Sequence, residues 1–453
     1  MSVRAWGMWT AGLAFSTALL AAEDVASPSV AVIRIRPDKI LYSPGEAAVA
    51  TVTVNNRMAA ALKMDVRLSE VTGLDTRRAL GVQAVEAPSR QALTVEFAFT
   101  NSTIEYGRDL LVELVADGKR VAAATEPFSV ADNVWKVAIG ALANGPASSS
   151  ANYTDEQIVQ QIRQFRDQYC NVWEKYFWAP DDWGDLTTEP GATWFSCQAR
   201  RHENTEKLKL QVDASHAQGI SVVTYGKCMA GGVPGWELAR ARPQWFVTDL
   251  IGRTMGRPAD VWDLDNWQTG KYEDYKYKWT YRWVDLRRPD ALDHGIDEMQ
   301  ASTRQFGWDG VRFDSGGFRA HWVDGRYNGN DAVNTRNMKR TKERLREAYP
   351  RYLFGYNTDN TAGKDGRAYP LTVAEMSHEM REMLAGGGLW MGEAIKDFAN
   401  GAVQYTNWSR YARDERRCIQ AVKEAGGHFC YLFHHSTPVR DVYQFVIGLM
   451  IGA

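Results

Sequence analysis

Short β-rich runs alternate with amphipathic helical stretches from Trp135 onward, and this alternation constrains the fold of the chain most. A parallel pair of strands needs a crossover connection long enough to hold a helix, so the alternation predicts a parallel sheet. One helical stretch, Asp155–Tyr169, has apolar residues at helical spacing and Thr154 as its N-cap. The predicted strands of this region are Val137–Leu142, Asn171–Trp178, Ile220–Tyr225, Gly310–Phe313, Tyr352–Tyr356, Gly388–Met391 and His428–Phe433.

Seven strands in this order favour an α/β TIM-type (β/α)8 barrel over a doubly wound sheet. No G-x-G-x-x-G motif opens the first helix, so a dinucleotide-binding fold gains no support. The sequence stops after a helical stretch that follows the seventh strand. We therefore expect a barrel that is incomplete at its C-terminal end, and a miscount by one strand is the alternative.

The N-terminal part of the chain has a different texture. Arg4 precedes an uncharged apolar stretch that ends in Ala21-Ala22, which predicts a signal peptide over residues 1–22 and a secreted, periplasmic or cell-surface protein. The stretch is short for a membrane span, so the mature chain is expected to have none. Short turn-bounded strands over residues 28–132 predict an immunoglobulin-like β-sandwich, leaving residues 133–453 as the catalytic barrel.

Composition narrows the class of partner. The net charge is −2, so no strong field of either sign points to nucleic acid or to an anionic membrane. The chain has 17 Trp, many of them between Trp173 and Trp283 beside Gly, Asp and Asn. Aromatic rings also fill large cores, but this cluster favours an oligosaccharide or polysaccharide, whose C–H faces stack on rings and whose hydroxyls bond to polar side chains.

The sharpest motif is "FGWDGVRFDSGG", Phe306 to Gly317, in which Asp314 falls at the carboxyl end of a predicted strand. Arg312 would share one face of that strand with Asp314 and could hold the carboxylate ionised and oriented. An ionised, oriented carboxylate is what a glycosidase nucleophile requires. A buried Arg–Asp pair of purely structural role is the alternative.

A second carboxyl group, Glu393, lies in the motif "GGGLWMGEAI", where it closes a short predicted strand. Apolar neighbours there would raise the pKa of a carboxyl group, as a general acid needs; a Glu at the start of the next helix is the alternative. One predicted strand separates Asp314 from Glu393, so both would open at the same edge of the sheet. Two carboxyl groups that face each other across a glycosidic bond are the requirement for its cleavage.

Other strand ends supply candidate sugar contacts, and together they would form a polar, aromatic-lined cleft. With Arg312, the predicted substrate-binding residues are Trp178, Asp181, Tyr225, Lys227, Asn357, Asp359, Trp390 and His434. No cofactor is predicted. No carboxylate at a diagnostic spacing accompanies His434-His435, so no metal is predicted, and a metal-dependent hydrolase stays a third hypothesis.

Several of these segments are similar to glycoside hydrolase family 66, which contains dextranases and cycloisomaltooligosaccharide glucanotransferases. The segments are "RPDKILYSPGEAAVATVTVNN", "HAQGISVVTYGKCMAGG", "FGWDGVRFDSGG" and "GGLWMGEA", in that order. The resemblance implies a retaining α-glycosidase, with or without transglycosylation, in which Asp314 is the nucleophile and Glu393 the acid/base. Arg312 stands where His is expected in that family, which motivates the alternative of a catalytically inactive carbohydrate-binding relative.

Overall fold

The computed structural model describes residues 30–73, 76–103, 105–141, 145–181, 183–196, 201–247, 256–257, 281–314, 332–357, 370–392 and 408–431. Contacts divide the chain into two compact units. Among the described residues, one unit comprises those up to Arg36 together with Ala50–Phe97 and Leu110–Glu126. The other unit comprises Pro37–Val49, Ala98–Asp109 and the described residues from Pro127 onward.

Among the described residues, eight strands precede Asp132, and they form two sheets. Residues alternate between buried and exposed along most of them, as expected for strands with one face on a core. Their order is β1-β3-β6 in a three-stranded sheet and β2-β8-β7-β4-β5 in a five-stranded sheet. The strands are β1 Val30–Pro37, β2 Leu41–Tyr42, β3 Ala47–Asn56, β4 Leu62–Thr72, β5 Thr76–Ala87, β6 Ala92–Thr100, β7 Tyr106–Ala116 and β8 Lys119–Val130.

The remaining strands include a seven-stranded parallel sheet that carries the candidate site. Its order is β9-β10-β13-β17-β18-β19-β20, so neighbours in the sheet follow one another along the chain. Each of its strands lies within or close to one that the sequence predicts. These strands are β9 Gly140–Ala141, β10 Val172–Lys175, β13 Ser221–Gly226, β17 Gly310–Phe313, β18 Leu353–Asn357, β19 Leu389–Gly392 and β20 His428–Tyr431.

Two small antiparallel sheets interrupt the alternation: β11 with β12, and β14 with β16 and β15. They comprise β11 Thr193–Ser196, β12 Arg201–Asn204, β14 Met229–Gly231, β15 Gly256–Arg257 and β16 Tyr281–Trp283. The α-helices of the described residues are α1 Asp155–Asp167, α2 Thr205–His216, α3 Gly232–Ala241, α4 Pro289–Phe306, α5 Ala332–Ala348, α6 His378–Leu384 and α7 Trp408–Glu424.

Helix α1 shows how local sequence sets these elements. Thr154 caps it as predicted, since its side chain accepts from the backbone N–H of Gln157 while Gln157 bonds back to the cap. Ile158 and Ile162 bury one face of the helix. At the far end of α4, Gly307 adopts a left-handed conformation with φ +88°, which ends the helix just before β17.

The prediction of a closed (β/α)8 barrel is wrong. The seven-stranded sheet has the curvature of a half barrel, and no pairing between β9 and β20 is seen in the described residues. Seven α-helices occur in the described residues, and two small antiparallel sheets lie between units of the strand–helix alternation. Strand–helix alternation dictates parallel neighbours, but closure depends on pairing between the first and last strands, which no local pattern encodes.

Successive residues of the sheet face opposite sides, and the register aligns them across strands. Tyr225 pairs with Arg312, and Arg312 pairs with Gly355, so these positions share one face of the sheet. The other face packs against helices in a large apolar core that includes Trp173, Phe313 and other aromatic residues. The face that carries Arg312 holds the candidate site.

Candidate functional site

Asp314 follows β17 directly, at the carboxyl edge of the seven-stranded sheet. Its backbone N–H donates to the carbonyl of Gly226 at 3.0 Å, which continues the pairing with β13 and fixes the main chain. The Tyr225 hydroxyl donates to Asp314 Oδ2 at 2.6 Å, and Asn357 Nδ2 donates to Oδ1 at 2.9 Å. The carboxylate is thus oriented by one neutral donor from each neighbouring strand, which favours its ionised form.

Arg312 lies two residues before Asp314, on the same face of the sheet, and is fully buried. Its Nη1 is 3.9 Å from Asp314 Oδ1, which is an ion-pair distance but too long for a hydrogen bond. The strand beside it has Gly355, where a Cβ atom would lie 3.1 Å from Arg312 Cγ. A side chain at position 355 would therefore crowd the aliphatic part of the Arg312 side chain.

Glu174 of β10 holds the other side of this guanidinium. Arg312 Nε donates to Glu174 Oε1 at 2.7 Å, and Nη2 donates to Oε2 at 2.9 Å, so the contact is bidentate. Burial alone lowers the pKa of Arg312, but the charges of Glu174 and Asp314 outweigh burial and raise it. Arg312 therefore stays charged between two carboxyl groups.

Glu174 was missed by the sequence analysis, although a signal exists. The predicted strand Asn171–Trp178 reads "NVWEKYFW", in which two charges stand inside an apolar run. Charged residues are almost never fully buried without a partner, so each charge in a buried strand predicts an opposite charge beside it. Arg312, the cation in the motif that ends on Gly317, is that partner for Glu174, although β13 lies between their two strands.

Aromatic rings surround the Glu174–Arg312 pair. The Arg312 guanidinium carbon lies 5.1 Å from the ring centre of Tyr225 and 5.9 Å from that of Tyr176, at cation–π distances. Phe177 packs edge-on against Tyr225 at 4.5 Å between ring centres. Its backbone is in the left-handed region, with φ +49°. Strain of this kind in a bulky residue is found where surrounding structure enforces it, as at functional sites.

Two predicted contacts, Lys227 and Asp181, are buried. Lys227 follows β13, and its ammonium lies 4.4 Å from the centre of the Phe177 ring. Asp181 is 1% exposed and accepts from the backbone N–H groups of Gly184 at 2.9 Å and Gly231 at 2.6 Å. Asp181 therefore ties the loop that contains Gly184 to the end of β14.

The predicted sugar-stacking residues Trp178 and Trp390 lie in the helix-facing core. Trp178 is 1% exposed, and its indole N–H donates to Thr224 Oγ1 at 2.7 Å. Trp390 is 0% exposed and packs edge-on against Phe429, with ring centres 5.9 Å apart. Both rings are thus buried in the described residues, and their role as sugar contacts stays a prediction.

Glu393, Asp359 and His434 lie outside the described residues, so the separation of the two predicted catalytic carboxyl groups remains a prediction. In the described part of the chain, no group of three or more His, Cys, Asp and Glu side chains is arranged to hold a metal ion. None of the helices described there has the length and apolar character needed to cross a bilayer.

No known family profile and no curated protein matches the sequence. Among solved structures, the chain is similar to a cycloisomaltooligosaccharide glucanotransferase from Paenibacillus sp. complexed with cycloisomaltoheptaose. The identity is 15% and the TM-score 0.63, over 90% of this chain and 54% of that one. This chain thus spans about half the length of that protein.

A CARDB domain from Pyrococcus furiosus, at 15% identity, covers 23% of this chain with a TM-score of 0.19, and 91% of that domain is matched. A β-glucosidase from Listeria innocua, at 13% identity, covers 22% of this chain and 16% of its own, with a TM-score of 0.18. Similarities this limited support no inference. The likeness to the glucanotransferase shows the fold alone: the chain has a glycoside-hydrolase-like fold, and that neighbour is a carbohydrate-active enzyme whose structure contains a cyclic oligosaccharide.

Proposed function

We propose that this chain is a retaining glycoside hydrolase that acts on an α-glucan or related polysaccharide, with or without transglycosylation. The observation that carries the proposal is the environment of Asp314. Its carboxylate lies at the carboxyl edge of a parallel sheet, where open α/β sheets bind ligands. Tyr225 and Asn357 orient both of its oxygens, and Arg312 supplies positive charge behind them.

In the proposed mechanism, an Asp314 oxygen attacks the anomeric carbon of the sugar, and Glu393 protonates the departing oxygen. A glycosyl ester on Asp314 results, and Glu393 then activates water or a second sugar hydroxyl to release it. Retention by this route needs the two carboxyl groups about 5–5.5 Å apart. The donors on Asp314 suit the role, because they hold the carboxylate without placing a full positive charge against either oxygen.

Export is part of the proposal. Residues 1–22 would act as a signal peptide, residues 28–132 as an accessory sandwich and residues 133–453 as the catalytic region. The substrate would then be an extracellular or periplasmic polysaccharide.

Trapping the intermediate tests the proposal. Fluorinated α-glycosyl fluorides form slowly hydrolysed glycosyl esters, so incubation followed by peptide mass spectrometry should place one sugar on Asp314. The same preparation should release sugars from at least one of a panel of soluble α-glucans. E393Q should retain more activity on aryl glycosides with good leaving groups than on the polysaccharide, since such groups need little acid assistance.

Two outcomes would overturn the proposal. A label on a residue other than Asp314 would remove the nucleophile assignment. Binding of glucans by the wild-type chain without sugar release or labelling would establish the inactive carbohydrate-binding alternative.

A further inference from the structure

Glu174 has a geometric relation to Asp314 that the proposed chemistry does not by itself require. The two carboxyl groups lie on opposite sides of one buried guanidinium, Glu174 in bidentate contact and Asp314 at 3.9 Å from Nη1. A guanidinium is planar, so two hydrogen bonds along one edge fix the direction of its remaining N–H groups. Arg312 Nη1 is therefore aimed by Glu174.

Arg312 Nη1 is buried and has no hydrogen-bond partner among the described residues. A buried donor without an acceptor is unfavourable, and more so when the group is charged. The guanidinium would remove that penalty by moving about 1 Å toward Asp314 Oδ1, into the range of a charged hydrogen bond. The bidentate contact with Glu174 opposes that movement.

Release of the Arg312 guanidinium from Glu174 would change the reactivity of the Asp314 carboxylate. A direct pair with Arg312 would occupy an oxygen that must attack carbon, and would stabilise the carboxylate against giving up its charge in the ester. With Glu174 ionised, the three groups sum to one negative charge; without it, the sum is zero. Glu174 thus sets both the position of the Arg312 guanidinium and the net charge of the three groups.

We propose that Glu174 is a positioning residue that holds Arg312 beside Asp314 while preventing the guanidinium from donating a direct hydrogen bond to that carboxylate. This inference rests on the proposed function, in which Asp314 is the nucleophile. Glu174 acts through Arg312 and does not itself contact substrate.

A matched control stands next to Glu174 on the same strand. Lys175 faces the opposite side of β10 and forms a buried pair with Glu203 at 2.9 Å. Both side chains of this second pair are as buried as those of the first. The variants E174Q and E203Q each remove one buried negative charge, but only the first lies beside Arg312.

The test is the titration of Asp314 measured without turnover. A water-soluble carbodiimide modifies protonated carboxyl groups, so labelling of the Asp314 peptide, quantified by mass spectrometry, falls as the pH rises through its titration. Titratable or charged side chains that face Asp314 in the described residues include Tyr225 and Arg312, with Glu174 behind Arg312. E174Q should lower the midpoint by about one pH unit, because the charge of Arg312 is no longer compensated.

R312M should shift the midpoint in the opposite direction, since two carboxyl groups would then share the site without a cation. E203Q should leave it unchanged. In kinetic assays on the substrate identified for the wild type, E174Q should lower kcat about tenfold with little change in KM, and the acid limb of its pH profile should move down with the labelling midpoint.

Equal behaviour of E174Q and E203Q, or shifts of E174Q and R312M in the same direction, would overturn the inference. Should E174Q fail to fold, E174D serves: it keeps the charge but shortens the clamp, so the midpoint should still fall, and an unchanged midpoint would count against the inference. Labelling needs no substrate. A wild type that cleaves no glycan therefore refutes the proposed function and leaves the positioning of Arg312 measurable.

Discussion

Two buried ion pairs begin at adjacent residues of β10 and end in different settings. Glu174 pairs with Arg312 on the face of the sheet that carries Asp314, and Lys175 pairs with Glu203 on the face toward the helices. All four side chains are at most 1% exposed. Desolvation is therefore the same for both pairs, and any difference in role must come from their surroundings.

The Lys175–Glu203 pair, the outer pair, has neutral hydrogen-bond partners, and the charged side chain of Arg201 lies near it. Lys175 also donates to Gln211, and Glu203 accepts from the hydroxyl of Ser150 at 2.5 Å. Burial lowers the pKa of Lys175, and the charge of Glu203 only partly opposes that. This network ties a strand to the start of a helix, as a structural pair does.

The Glu174–Arg312 pair, the inner pair, lies beside the oriented carboxylate of Asp314, and Arg312 Nη1 points toward that carboxylate. Breaking the outer pair should affect folding alone, and breaking the inner pair should affect both folding and chemistry. This contrast gives a criterion for function: a buried charge with an incomplete set of partners, next to an oriented carboxylate, is more informative than burial by itself.

The largest effect should come from comparing the two ends of β17. D314N should reduce kcat/KM by at least about 10⁴-fold, because an amide cannot form the glycosyl ester. D309N changes the acid that precedes the same strand, where Asp309 accepts from His216 and from the backbone N–H of Val222. It should lower stability and leave kcat/KM within about twofold.

Initial rates of sugar release and thermal unfolding of both variants check this prediction. Comparable loss of activity in D309N and D314N would show that the carboxyl edge of the strand has no special role.

R312M and K175M remove the cation from the inner and the outer pair. Each leaves a buried carboxylate without its partner, so each should lower the free energy of unfolding by about 3–5 kcal/mol. Only R312M should also lower kcat in the folded fraction, by about 10²-fold. Urea unfolding followed by tryptophan fluorescence gives the first quantity, and single-turnover rates give the second. A kcat loss of equal size in K175M would place both pairs in the same structural class.

Much of the sheet could be predicted from sequence, and particular residues show where prediction stopped. Thr154 and Gly307 mark helix ends through local chemistry, and the strands that carry Asp314 and Asn357 follow from short apolar runs. The ion pair between Glu174 and Arg312 joins residues 138 apart. Local patterns do not encode such a contact, for the same reason that they gave a closed barrel where a half-barrel sheet is found.

A site residue can also be confused with a core residue when both lie at strand ends. Trp178 and Tyr225 are both aromatic and both lie at the carboxyl end of a predicted strand, so the sequence analysis assigned both to the cleft. The two residues differ in the side of the sheet on which they lie, and a shift of one residue along a strand is enough to change that side. An aromatic residue in a strand therefore predicts burial more reliably than it predicts the side on which it is buried.

Tyr225 and Trp178 allow a smaller test of this difference. Y225F deletes the donor to Asp314 Oδ2, and W178F deletes the donor to Thr224 Oγ1. Y225F should lower kcat about tenfold, as the loss of a hydrogen bond to a charged group is worth about 1.5–3 kcal/mol at most. W178F should lower the melting temperature with KM and kcat unchanged. A raised KM in W178F would restore the sugar-stacking assignment and contradict the core placement.

The smallest effect should come from the exposed pair of His216 and Asp309. Burial lowers the pKa of His216, but the hydrogen bond and charge of Asp309 outweigh it and raise the pKa above the usual value. A raised folded-state pKa means that the stabilisation is fully present below the unfolded-state pKa of about 6.5 and is lost as the pH rises through the folded-state pKa. Because His216 is 39% exposed, solvent screening limits the contribution to about 0.5 kcal/mol.

Urea unfolding of wild type and H216Q between pH 5.5 and pH 9 should show a difference in unfolding free energy at the acid end that disappears at the alkaline end. A difference that grows with pH would contradict the expected pH dependence of the His216–Asp309 pair. A difference of several kcal/mol would mean that this exposed pair stabilises the fold as much as a buried pair does.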